Sequence, residues 1–187
     1  CLVPVIALLV LLNGGWDDGF KVQFLDLELN FMRVDKLSTV FGIIFCIAAF
    51  LGNIFAFHLR ESTQPFVALI YSGAAIGAVF AGDLVTLFVY WELTAISSVF
   101  LIWARKTEGA YHSGMRYLII QVLSGVVLLF GVALFYFEKG SISFSKMELD
   151  SLATALIFVA FGIKCAFPFL HNCCLLYTSD AADDVEC

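Results

Sequence analysis

The stretch GDLVTLFVYWELTAISSVFLIWA, residues 82–104, carries no charge except Asp83 at its start and one carboxylate, Glu92, near its middle. The hydrocarbon of a bilayer is about 30 Å thick and an α-helix rises about 1.5 Å per residue, so roughly 20 residues of this kind make one crossing. Around this span, 84–104, four more stretches pass the same test: 37–57, 65–82, 117–137 and 151–170. A sixth, 1–12, is apolar to its first residue and too short to cross. It reads as the tail of a helix whose beginning is absent, which the missing initiating Met supports. With no charged n-region it is not read as a signal peptide.

Composition points the same way. Of 187 residues, 61% are hydrophobic and 14% charged, with 20 Phe, where a soluble domain is near half apolar and a quarter charged. A mean hydropathy of +0.97 excludes a soluble globular chain, because so few charges cannot solvate that much apolar surface. The net charge of -6 is weighted to the end, where Asp180, Asp183, Asp184 and Glu186 fall. No basic surplus suggests nucleic acid. Cys1, Cys46, Cys165, Cys173, Cys174 and Cys187 lack paired spacing and read as lipid-facing or core residues, not as disulfides or zinc ligands.

The spans are punctuated as helices. Ser62, Thr63 and Gln64 lead into Pro65, Asp83 can cap the central span, and Asp150 with Ser151 can cap the last. Before the first complete span, Leu25, Leu27, Leu29 and Phe31 alternate with Asp26, Glu28 and Asn30. That period of two reads as a strand at the membrane surface with a partner strand within 16–22. The fold class is thus all-α, a polytopic transmembrane bundle of five complete spans and one partial, with a short extracytoplasmic β segment. No linker divides it, so residues 1–172 count as one membrane domain. Arg60, Arg105, Lys106 and Arg116 cluster in two short connections, and by the positive-inside rule that side is cytoplasmic.

Only two of the spanning stretches hold an ionisable residue deep inside: Glu92, and Lys164 in AFGIKCAFP, 160–168. A lone charge at mid-membrane costs about 2.5–3.5 kcal/mol on insertion scales, so it is normally turned inward, paired, hydrated or neutralised. Loss of water favours the neutral form of each group, while the opposite charge pulls both back toward ionisation. Such a pair can be poised to pass a proton. The plainer reading is a fixed ion pair that only sets helix packing. Pro168 has no N–H to give the Lys164 carbonyl, so the helix should break beside the lysine, as discontinuous helices do at ion sites and as ordinary kinks also do.

Other polar residues are weaker candidates. Thr86, Tyr90 and Thr94 lie near Glu92 in sequence and could order water, although hydroxyls in membrane helices more often bond their own backbone. His171 follows the broken helix and is a candidate relay; His58 and His112 sit at loop edges. Asn53 and Gln121 suit interhelical hydrogen bonds, and Ser124, Gly125 and Gly131 suit close packing. There is no phosphate loop, no cysteine set for an iron–sulfur cluster and no histidine pair for haem, so no cofactor is assigned to this chain.

The run 82–93, GDLVTLFVYWEL, followed about seventy residues later by FGIKCAFPFLHN, 161–172, resembles the antiporter-like proton-pumping subunits of NADH:quinone oxidoreductase (complex I) and the related large subunits of Mrp-type cation/proton antiporters. The approach FMRVDKLS, 31–38, is similar to that family's entry to its third helix. The resemblance implies that Glu92 is the fifth-helix glutamate and Lys164 the seventh-helix lysine that carries the translocated proton. It further implies the end of the second through the seventh helix, forming the half-channel open to the cytoplasm, with later helices not in this chain. The implied setting is the bacterial inner membrane, and the implied partners are the lipid bilayer, other membrane subunits of a respiratory or antiporter complex, protons and, in an antiporter, Na+. The driving reaction, quinone reduction or a cation gradient, lies in those partners. A non-conducting structural subunit is the alternative. After Asn172 the family's pattern is lost and composition shifts, so 173–187 reads as a tail not native to the family.

Overall fold

The computed structural model describes residues 2–13, 21–24, 27–55 and 63–165. The order of elements is α1 (Leu2–Asn13), β1 (Lys21–Phe24), β2 (Leu27–Asn30), α2 (Lys36–Phe55), α3 (Thr63–Phe80), α4 (Leu84–Trp103), α5 (Glu108–Lys139) and α6 (Leu152–Lys164). Among the described residues four helices, α2 to α5, are long and apolar enough to cross a membrane. The span expected over 151–170 is described only as the 13-residue α6, and residues 166–170 lie outside the described set. The described residues fall into two compact units.

The first unit holds α1 to α3, the hairpin, α4 as far as Ser98, and residues 142–145. Helix α1 packs on α2, and α2 on α3. Asp35 starts α2 by a reciprocal cap: Ser38 N–H donates to Asp35 Oδ1 at 2.8 Å, and Asp35 N–H donates to Ser38 Oγ at 2.8 Å. This satisfies two donors that a helix start leaves without partners. The Ser38 amide holds the Asp35 carboxyl below its ordinary 3.8, with the Arg33 guanidinium 3.1 Å away acting in the same direction.

Strands β1 and β2 pair antiparallel, with Lys21 opposite Asn30 and Val22 opposite Leu29. The partner strand is described from Lys21, where the sequence suggested 16–22; Phe31 falls outside the strands, and Leu25 lies outside the described residues. Only two residues separate β1 from β2, the commonest hairpin spacing, and this short connection sets the register that alternation left open. The hairpin is tied to the end of α3, since Arg33 N–H donates to the Phe80 carbonyl at 2.7 Å and Gly82 N–H to the Asn30 carbonyl at 3.0 Å.

In the second unit, the end of α4 turns into α5 through Lys106, whose φ is 56°. Trp103 stacks on Tyr111 at 5.6 Å. Thr107 caps α5 by accepting from Ala110 N–H at 3.2 Å. Helix α5 runs for 32 residues, about 48 Å at 1.5 Å per residue, and so is longer than the stretch 117–137 chosen on hydropathy. Its first nine residues are polar enough to be missed, but cap and backbone bonding, not apolarity, decide where a helix starts. Ser151 and Thr154 form a reciprocal capping box at the start of α6.

Helices α5 and α6 pack along two stripes. On α5 the buried residues include Gln121, Ser124, Leu128, Gly131 and Phe135; on α6 they include Ala153, Ile157 and Ala160. Spacings of three and four place each set on one face. At Gly131 the helices meet so closely that a Cβ would stand 3.1 Å from Ile157 N and 3.2 Å from the Ala153 carbonyl. Outside these stripes the chain exposes large apolar side chains, Val122, Val126 and Phe130 among them on α5, as expected where lipid replaces water as solvent.

Candidate functional site

Helix α4 buries Leu84, Leu87, Trp91 and Ala95 and exposes Val89, Leu93 and Ile96. Glu92 stands one residue around from the buried stripe. It is half-buried, and its Oε1 is shut off from solvent. Lys164 is the last residue of α6. It lies four residues past Ala160 and so continues the stripe that faces α5; it too is half-buried. Neither group is fully buried among the described residues. Glu92 belongs to the first unit and Lys164 to the second. Among the described residues the fully buried charged side chain is instead Asp83, 2% exposed.

The hydroxyls near Glu92 in sequence are engaged elsewhere. Thr86 Oγ1 donates to Asp83 Oδ2 at 2.9 Å, and Thr94 Oγ1 donates to the Tyr90 carbonyl at 2.6 Å. Tyr90 is two residues from Glu92, about 200° around the helix, and its ring lies against Gly77 of α3, where an added Cβ would collide with it. It also walls an apolar cavity of about 390 Å³ with Val10, Leu11, Met32, Ile76 and Phe80. Pro168 and His171, like His58 and the tail 173–187, lie outside the described residues. Among the described residues Asn53 bonds within its own helix: its Nδ2 donates to the Ala49 carbonyl at 2.8 Å, one turn back. Among the described residues no group of three or more His, Cys, Asp or Glu could hold a metal ion.

Asp83 does more than the capping role legible in sequence. Its Oδ1 accepts from Thr86 N–H at 2.7 Å, the normal N-cap bond. Its Oδ2 accepts from the backbone N–H of Asn30 at 2.6 Å, 53 residues earlier. On the other side Leu84 N–H donates to the Ile142 carbonyl at 3.0 Å, and Asp83 and Ser143 form an isolated β-bridge. Two separate segments therefore fix the start of the helix that carries Glu92. An aspartate before an apolar run signals the cap, but no local pattern announces the strand that shares it.

The family profile described as NADH:quinone oxidoreductase/Mrp antiporter, TM, matches residues 81–174, which takes in α4, α5 and α6. A putative antiporter subunit mnhD2 of Staphylococcus aureus strain JH9 is 28% identical over 165 residues, covering 82% of this chain and 32% of the relative. An NAD(P)H-quinone oxidoreductase subunit 2 of Rippkaea orientalis is 26% identical over 163 residues, covering 83% of this chain and 30% of the relative. In fold, the chain is similar to one in the respiratory complex I of Thermus thermophilus, with a TM-score of 0.72 at 23% identity over 92% of this chain and 39% of that one. The chain thus spans about a third of the length of the curated relatives it matches. With half of its length matched by one profile and its helices superposing on a solved membrane subunit, it belongs to the NADH:quinone oxidoreductase/Mrp antiporter transmembrane family.

Proposed function

We propose that this chain forms the proton-loading part of a proton-translocating membrane subunit, with Lys164 taking up the proton and Glu92 setting how tightly it is held. The observation that carries this reading is the position of Glu92, far inside a membrane-length helix with one carboxylate oxygen hidden from solvent. A carboxylate is retained in that setting only at a cost, and intramembrane charges are functional by default. Lys164 adds a compact ammonium whose proton affinity responds readily to its surroundings. Membership of a family named for antiporters and quinone oxidoreductases supplies the class of process. The subunit works in a bacterial inner membrane beside other membrane subunits, with H+ as the translocated ion and Na+ as the counter-ion if the assembly is an antiporter.

The test is proton flux in proteoliposomes holding the full-length protein in its native assembly. Lys164→Met and Glu92→Gln should each lower flux at least about tenfold, the size expected when one proton-transfer group is removed. Wild-type flux in both variants would overturn the reading in favour of a non-conducting structural subunit.

A further inference from the structure

Gln121 is 5% exposed in the middle of α5, and among the described residues its Oε1 has no hydrogen-bond partner. A buried amide oxygen left that way costs about 1–3 kcal/mol, more where no water competes. An acceptor is thus held, at a cost, on the face that α5 turns toward α6.

The register of the two helices shows what stands opposite. Gly131 meets α6 between the Ala153 carbonyl and Ile157 N, at the level of about residue 155. Ser124 Oγ donates to the Ala160 carbonyl at 3.1 Å, one step up the same antiparallel ladder. Gln121 is ten residues before Gly131, about 15 Å along the axis, and the same rise on α6 leads from about 155 to Lys164 and Cys165. Of these, Lys164 lies on the facing stripe with Ala153, Ile157 and Ala160.

From this register we infer that Gln121 is a positioning residue for Lys164: its amide, unbonded at Oε1 among the described residues, stands level with the lysine and receives the head group as its protonation state changes. An ammonium only donates, and Oε1 accepts; a neutral amine offers a lone pair, and the Nε2 hydrogens can donate to it. Glutamine serves both states without adding charge. Glutamate would hold the proton harder, and leucine would give neither form a partner. The inference rests on the proton-loading role proposed for Lys164. Lys164 is the only charged residue of α6, and the titratable or charged groups of α5 toward its start are Glu108, Tyr111, His112, Arg116 and Tyr117, with Tyr136, Glu138 and Lys139 at its far end. Tyr117, the nearest of these to Gln121, is four residues away, about 40° around the helix, and Arg116 is five residues away, about 140° around. Glu92 of α4 is the remaining group in the proposed mechanism.

Two measurements on the full-length protein in its native assembly decide the matter. The first is a thermal cycle: Gln121→Leu should lower Tm by about 3 °C when residue 164 is lysine, and should not lower it in the Lys164→Met background. The second is the pH of half-maximal proton flux. It should move down by about one unit in Gln121→Leu and up in Gln121→Glu, with Gln121→Asn between Leu and wild type, because each change alters how well the protonated lysine is held. Equal Tm changes in both backgrounds, or flux midpoints that do not separate in opposite directions, would overturn the inference. If Lys164→Met leaves flux intact, the proton-loading reading fails, and the thermal cycle still reports whether Gln121 and Lys164 meet.

Discussion

The hydroxyl of Ser124 on α5 donates to the backbone carbonyl of Ala160 on α6 across 3.1 Å. That carbonyl is also placed to accept the ordinary intrahelical bond one turn on, so the serine adds a second bond to an oxygen that is already served.

Ser124→Ala should therefore be mild, about 0.6 kcal/mol, in line with hydrogen bonds between membrane helices generally. Gly131→Ala should cost more, about 1–3 kcal/mol, because the added methyl meets backbone atoms at 3.1 and 3.2 Å that cannot rotate aside. Thermal unfolding of the full-length protein in detergent checks the order. A Ser124→Ala loss exceeding that of Gly131→Ala would mean that polar bonding, not close approach, holds α5 to α6.

Gly77 presents the opposite case. The group nearest its missing Cβ is the Tyr90 ring, the far end of a side chain bordering an open apolar cavity. Gly77→Ala should cost about 1–2 kcal/mol, and the cost should fall below about 0.5 kcal/mol when Tyr90→Ala is made as well. An undiminished cost in the double variant would place the clash elsewhere.

Replacing Asp83 should be among the more damaging single changes in the first unit. Asp83→Ala removes the acceptor from Thr86 N–H, Thr86 Oγ1 and Asn30 N–H together. The expected loss is about 2–4 kcal/mol, the sum of a lost cap and of donors left buried. Asp83→Asn can keep the cap through its remaining oxygen but turns an N–H₂ toward Asn30 N–H, so it should fall between. Hydrogen exchange would show Asn30 unprotected in both variants and Thr86 unprotected only in Asp83→Ala.

Asp35 makes the start of α2 sensitive to acid. Its carboxyl is held below 3.8 chiefly by the Ser38 amide, so its contribution is full above that ordinary value and is lost as pH falls through the lower folded one. Amides of the first turn of α2 should gain exchange, corrected for intrinsic rate, only below about pH 4. Asp35→Asn should remove that dependence. Persistence of the acid step in Asp35→Asn would assign it to another carboxyl.

Much of the architecture was readable in the residue order. Predominantly apolar spans of about 20 residues gave α2, α3 and α4 to within two residues at each end, since the bilayer sets helix length and water sets where polar residues may lie. Glu92 and Lys164 stood out for the same reason: a charge inside an apolar run is conspicuous in one dimension. The start of α5 was not visible, because a polar helix projecting past the hydrocarbon carries no hydropathy signal and depends on the Thr107 cap. Asn53 was misjudged because its amide found the Ala49 carbonyl within reach on its own helix.

Chain order and composition alone thus established a membrane-spanning helical protein with an acid and a base in its spans, because solvent exclusion acts on each segment separately. The strand register, the grip of Asp83 on Asn30, and the alignment that brings Gln121 to the level of Lys164 came from the fold. Each of these joins residues far apart along the chain, and such partners are chosen by packing geometry, which no local pattern of residues encodes.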